Sequence, residues 1–297
     1  MNVPVAQLCL VLLCCVNVGY AQDVPGPGAK PETVLPSVPG VPSEAQPSPH
    51  FNAQAATDAY LAQIPAAATA RSNAYFEGGY WLILGDFLAG AVIYIVLLRF
   101  GWSAGMRELA ERLTRFKPLQ TLIFWTEFTI VTSILSFPLG VYEGFVRERQ
   151  YGLATQTFGP WMGDQLKGLL VNIVLGGLFA MLLFGVVRRV PRTWWLWGSV
   201  VSIVFLALTV MIAPVYIVPI FNKVTTLDDP KITQPILRMA RANGIAADKV
   251  YEMDASRQTT RMSANVSGFG HTTRITLNDN LLRRGSAEEI QSVMGHE

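Results

Sequence analysis

The chain ends Gly295-His296-Glu297, and the last two of these residues are of types that do metal chemistry. On a helix, a histidine followed at once by a glutamate is the first half of the spacing H-E-x-x-H. In the full spacing two imidazoles one turn apart face the same way and hold Zn²⁺, and the glutamate between them polarises the attacking water. The expectation is therefore one zinc ligand, His296, and one general base, Glu297, with the remaining ligands outside residues 1–297. The dipeptide alone says little, because a histidine near a helix end is most often a surface group sitting favourably against the helix dipole. What gives it meaning is the framework that holds it.

Ser286-Ala287-Glu288-Glu289 reads as a capping box, in which the serine hydroxyl and the glutamate carboxylate satisfy exposed amides at a helix start. Ile290, Val293 and Met294 follow at helical spacing, so the sequence predicts a helix whose third turn ends in His296-Glu297. Upstream, Thr233 or a neighbour is expected to cap a helix with Pro235 in its first turn, running through Leu237 and Ala240 to a stop at Gly244. Residues 249–253 predict a short strand, and 273–278 alternate as a second, with Ile275 and Leu277 on one face. Gly268-Phe269-Gly270 marks a turn between them, and His271 just after it is read as a solvated loop residue, not a ligand.

The rest of the chain belongs to a bilayer. Hydrophobic residues make up 51% and charged residues only 15% of its 297 residues, too apolar for an ordinary soluble domain. A net charge of +2 gives nucleic acid nothing to hold. Cys9, Cys14 and Cys15 are the only cysteines, so a metal held further along must use histidine and carboxylate. Residues 1–22 read as a secretory signal, an apolar run followed by Gly19-Tyr20-Ala21, although no Lys or Arg precedes the run; an uncleaved anchor is the alternative. Residues 23–52 are Pro-rich and read as a disordered or extended linker, and 53–70 carry an Ala-rich helical pattern expected to end near Arg71-Ser72.

Four apolar stretches, 80–98, 119–141, 168–187 and 196–220, each approach the ~20 residues a spanning helix needs, making 53–221 a membrane domain. Between the first two, Met106, Leu109, Leu113 and Phe116 share a helical face with Arg107, Arg112 and Arg115 elsewhere, the pattern of an interfacial helix, expected to end at Pro118. Lys and Arg collect in the first loop and in Arg188, Arg189 and Arg192 of the third, which places both loops in the cytoplasm and residues 222–297 outside it. Asp86 and Glu127 fall inside apolar spans, where acids suggest function; hydrogen bonding to a neighbouring helix is the plainer account. Trp194, Trp195 and Trp197 read as an interfacial belt, and Pro214 and Pro219 are expected to kink or end the last span.

Three ordered blocks carry a resemblance: Ala213-Pro214-Val215-Tyr216-Ile217-Val218-Pro219-Ile220-Phe221-Asn222-Lys223 with Leu227-Asp228-Asp229, Gly268-Phe269-Gly270 through Thr273-Arg274-Ile275-Thr276-Leu277-Asn278-Asp279-Asn280-Leu281-Leu282, and Val293-Met294-Gly295-His296-Glu297. From about Phe76 to its end the chain resembles the integral-membrane zinc endopeptidases of the M48 class, the Ste24 or CAAX prenyl protease type. The resemblance implies a mainly α fold, membrane helices followed by the start of an α+β zincin-type domain over 222–297 that is cut within its metal motif. It implies one Zn²⁺ per complete site, with His296 a ligand and Glu297 catalytic, and a peptide or protein substrate. The strand after the glycine turn is similar to an edge strand that pairs with extended substrate, which places Ser263, Asn265, Ser267, Arg274, Thr276 and Asn278 along a cleft. The asparagine of this stretch is displaced from the family's pattern. CAAX processing or quality control of membrane proteins is the implied role; the family usually faces its site to the cytosol, whereas the loop charges here favour a bacterial inner membrane with the peptidase segment extracytoplasmic. Residues 1–297 alone are expected not to hydrolyse peptides. The alternatives are a noncatalytic relative, or a transporter or scaffold whose His-Glu ending is coincidence.

Overall fold

The structure, a computed structural model, describes Pro42 and residues 52–297; the expected signal, 1–22, and the linker, 23–52 apart from Pro42 and Asn52, lie outside the described residues. Helix α1 (Ala53–Leu61) is capped by Asn52, whose side-chain oxygen accepts from the amides of Gln54 and Ala55. The single helix expected over 53–70 is broken at Pro65, which starts α2 (Ala66–Arg99), and α2 runs through Arg71-Ser72 without a stop. Proline lacks an N–H and clashes with the preceding turn, so it opens helices more readily than it continues them.

Among the described residues four helices are long and apolar enough to cross a bilayer, and each contains one of the expected spans. They are α2; Lys117–Gln150, made of α4 (Lys117–Val141), a wider turn over Tyr142–Arg147 and a last short turn; α5 (Phe158–Arg189); and Trp194–Phe221, made of α6 (Trp194–Ile212), a second wider turn over Ala213–Ile217 and the turn Val218–Phe221. Pro214 neither ends nor sharply breaks the last span, because the helix widens locally where the proline withholds its hydrogen bond. The interfacial helix α3 (Trp102–Leu113) stops before Pro118, at the extended Thr114; Pro118 instead sits in the first turn of α4, where a missing N–H costs nothing.

Helices α4 and α5 pack most closely, and glycines make that approach possible. A Cβ on Gly176 would lie 2.5 Å from Cζ2 of Trp125, and one on Gly177 2.5 Å from Cδ1 of Leu122. The Trp125 indole N–H donates to the Asn172 carbonyl at 3.3 Å. Asp86 lies near the Glu143 carboxyl of a neighbouring helix, whereas Glu127 meets no hydrogen-bonding side chain among the described residues.

Beyond Phe221 the chain forms a four-stranded sheet, ordered β1 (Val224–Thr226), β2 (Val250–Met253), β4 (Arg274–Asn278), β3 (Ala264–Ser267), with β2 and β4 parallel and the outer pairs antiparallel. Three residues were too few to announce β1 by alternation. Helix α7 (Pro230–Ala242) is capped by Asp229, not Thr233, so Pro235 lies inside the helix; it ends as expected before Gly244, at φ 73°. After β4 come α8 (Asp279–Arg284) and α9 (Ala287–His296). Ile275 and Leu277 enter one core with Ile236 and Ala240 of α7 and Ile290 and Met294 of α9. The other face of β4 is covered too: Thr276 and Asn278 are 8% and 2% exposed.

Candidate active site

The capping box forms as read. The Ser286 amide donates to Glu289 Oε2 at 2.7 Å and the Glu289 amide to Ser286 Oγ at 3.2 Å, which pins the start of α9. Ile290 and Met294 bury the inner face, and three turns on His296 and Glu297 emerge exposed. They stand at the mouth of a cleft of about 290 Å³ whose walls include Met239 and Ala240 of α7, Val266 of β3 and Met294.

Beside this cleft runs a free strand edge. The Asn278 amide donates to the Ser263 carbonyl at 2.9 Å, and antiparallel alternation then turns the backbone groups of 263, 265 and 267 toward β4. Those of Ala264 and Val266 face outward, where an extended peptide can pair with them. The edge is thus β3, which precedes the glycine turn; β4, the strand after the turn and the one expected at the edge, is flanked on both sides. The turn between them needs its glycine: Gly268 has φ 91°, and a Cβ there would overlap the Thr272 carbonyl.

The six expected substrate-binding residues divide accordingly. Ser263, Asn265 and Ser267 lie on or beside the free edge, and the buried Oδ1 of Asn265 has no hydrogen-bond partner. The other three are occupied within the fold. Arg274 donates to the Pro214 carbonyl at 3.0 Å and lies 4.8 Å from the Tyr251 ring centroid. Asn278 caps α8 by accepting from the Leu281 amide at 2.9 Å while its side-chain amide donates to the Arg261 carbonyl at 2.8 Å. Thr276 is buried, and Arg261, which Asn278 meets, ends the segment 254–261.

Sequence reasoning missed how that segment, 254–261, is fastened to the membrane helices. Residues 152–156 pair with it: the Thr155 amide donates to the Gln258 carbonyl at 3.1 Å and the Thr260 amide to the Leu153 carbonyl at 2.9 Å, around an antiparallel bridge between Ala154 and Thr259. Side chains close both ends of this junction. At one, Asp164 of α5 accepts from Gln156 Nε2 at 2.6 Å and Gln258 Nε2 at 2.9 Å, with Lys167 at 3.1 Å and Arg257 at 3.3 Å. At the other, Arg261 pairs with Glu148 at 3.0 Å, and Tyr75 of α2 donates to the same carboxylate at 2.7 Å. From below, Asp279 accepts from the Ser256 amide at 2.7 Å and also from its hydroxyl, and Asn280 donates to the Thr259 carbonyl at 2.8 Å. The only sequence signal was a scatter of polar residues just outside apolar spans; which of them meet depends on contacts across about a hundred residues.

A zinc centre needs three protein ligands or more. Among the described residues no group of three His, Cys, Asp or Glu side chains converges. His296, with Glu297 beside it as a base, fits the start of such a site in kind, but the described residues do not complete a donor set.

Comparison with known proteins agrees with this architecture. A family model for the "CAAX prenyl protease N-terminal, five membrane helices" matches residues 50–223, and one for "Peptidase family M48" matches 226–297. The uncharacterized metalloprotease YhfN of Bacillus subtilis is 30% identical over 205 residues, covering 69% of this chain and 48% of that protein. CAAX prenyl protease 1 of Saccharomyces cerevisiae is 31% identical over 181 residues, 60% of this chain and 40% of the yeast protein. The crystal structure of S. mikatae Ste24p superposes with a TM-score of 0.66 at 25% identity, covering 77% of this chain and 55% of that one. The chain spans about half the length of the curated relatives it matches.

Proposed function

We propose, because this chain belongs to the M48 family of membrane metalloproteases of the CAAX prenyl protease type, that it forms the membrane and substrate-aligning part of a zinc-dependent endopeptidase. The observation that carries the reading is the placing of His296 and Glu297, by a capped helix, at the mouth of a cleft bordered by the free edge of β3. Extended peptide would add to that edge through the backbone groups of Ala264 and Val266, bringing a peptide bond alongside the end of α9. Ser263, Asn265 and Ser267 would line its path. Glu297 is the group that takes up and returns a proton as the peptide bond breaks. His296 is one ligand of a metal centre that the described residues do not complete.

Two substrate classes suit this arrangement: C-terminal CAAX peptides, from which the related yeast protease takes its name, and damaged membrane proteins. Loop charges favour an extracytoplasmic peptidase segment, where cytosolic prenyl-proteins are not met, so membrane-protein quality control is the reading we favour. A reporter fused at Asn280 and found in the cytoplasm would refute that side.

The function is tested in the whole reading frame that contains residues 1–297, reconstituted in lipid, with fluorogenic peptides and a destabilised membrane protein as substrates. Glu297→Gln is expected to cut turnover at least about a hundredfold, the usual scale for losing a proton-transfer group. Cleavage unchanged in Glu297→Gln, or unchanged by a zinc chelator, would overturn the reading.

A further inference from the structure

The end of the membrane bundle far from the sheet carries a basic rim that the fold leaves unneutralised. Arg99 closes α2, Arg107 and Arg112 lie on α3, Arg115 follows it, Lys117 opens α4, and Arg188, Arg189 and Arg192 lie at or just after the end of α5; all eight are exposed. Arg188 donates to Thr121 Oγ1 at 3.2 Å, so the turn after α5 is tied to the first turn of α4, and both basic groups share one end of the bundle. Glu108 and Glu111 are the only acids in these two segments, and the one ion pair, Arg112–Glu108 at 3.7 Å, is open to solvent on both sides. Among the described residues the side chains of Arg99, Arg107, Arg115, Lys117, Arg189 and Arg192 have no hydrogen-bond or ion-pair partner.

The opposite end treats its arginines differently. Arg149 donates to the Gln156 carbonyl, Arg257 pairs with Asp164, Arg261 with Glu148, and Arg147 donates to the Tyr75 carbonyl with its guanidinium 4.1 Å from the Tyr75 ring centroid. The arginines cited at that end are thus satisfied within the fold, whereas those of the rim are not.

Helix α3 gives the depth of that end. Met106 and Ala110 are buried against the bundle, while Trp102, Leu109 and Leu113 form a neighbouring stripe that the protein leaves 47%, 46% and 63% exposed. Arg107, Glu108, Glu111 and Arg112 fill the remaining face. A helix with one face on protein, an apolar stripe uncovered and a charged face opposite lies flat in a bilayer interface. Trp195 and Trp197, exposed just after Arg192, belong to the same level.

We propose that this rim is a binding surface for anionic phospholipids, with Arg107, Arg115, Arg189 and Arg192 holding headgroup phosphates while the Trp102-Leu109-Leu113 stripe enters the acyl boundary. A planar guanidinium matches two phosphate oxygens at once, and a basic side chain near an anionic surface contributes about a fivefold factor in binding. The proposal is independent of the catalytic reading, since it uses none of its residues.

The test takes the full chain in neutral detergent and counts retained lipid by native mass spectrometry during titration with phosphatidylglycerol, with phosphatidylcholine as comparator and inorganic phosphate as competitor. Phosphatidylglycerol is expected to bind at least about tenfold tighter than phosphatidylcholine, and more weakly in high salt. Arg189→Gln with Arg192→Gln should remove most of that preference, and the corresponding lysine variants should keep it. Arg107→Gln with Arg115→Gln, on a separate element, should lower it independently, so the outcome does not hang on one pair folding. Equal retention of the two lipids, unchanged preference in both glutamine pairs, or displacement of lipid by inorganic phosphate would each overturn the proposal.

Discussion

Replacing Asp164 by alanine should loosen the junction between the membrane helices and the segment 254–261. The carboxylate accepts from two side-chain amides, Gln156 at 2.6 Å and Gln258 at 2.9 Å, and its side chain is 12% exposed. Gln156 is itself only 7% exposed, so its donor would be stranded, whereas Lys167 and Arg257, at 45% and 38%, can turn to water. Hydrogen bonds to a charged acceptor are worth about 1.5 kcal/mol each at the low end, and exposed ion pairs add little, so the loss is about 3 kcal/mol. The Thr155 and Thr260 amides bond directly across the junction and report its opening. Hydrogen exchange at these two amides should accelerate roughly 150-fold in Asp164→Ala, with every ~1.4 kcal/mol counting tenfold. Asp164→Asn keeps one acceptor oxygen and should fall between, while amides of β4, bonded within the sheet, should hardly change. Acceleration at Thr155 and Thr260 below about threefold would show that backbone pairing alone holds the junction, and the assignment of Asp164 would fail.

Three other outcomes follow from the same geometry. Gly268→Ala forces a Cβ onto the Thr272 carbonyl at a positive φ, so it should cost about 2 kcal/mol or more and lower the thermal midpoint, read by scanning fluorimetry. Gly176→Leu drives a side chain into the Trp125 ring and should separate α4 from α5, seen as loss of a monodisperse peak in detergent; an unchanged profile would contradict the packing. Residues 1–297 should retain no stoichiometric zinc after dialysis, measured by elemental analysis, because among the described residues no group of three ligands converges; one tightly held ion per chain would refute this reading.

Local rules carried most of the element boundaries. The four spans were legible because a bilayer demands an apolar run of set length, and the capping box because its two hydrogen bonds join residues three apart. Errors arose where two local rules competed. Pro65, Pro118 and Pro230 each open a helix, whereas pattern alone suggested continuation, termination or a later start.

By itself the sequence determined the four membrane-capable helices of the described residues and that His296 and Glu297 close a capped amphipathic helix, since both follow from composition and spacing within a few turns. Only the tertiary structure decided that β3 and not β4 is the free edge, because strand order depends on which distant backbones pair. It alone turned Arg274 and Asn278 inward to hold the sheet, and brought Asp164, Gln156 and Gln258 together. Such meetings join residues up to a hundred positions apart, and no periodicity records them.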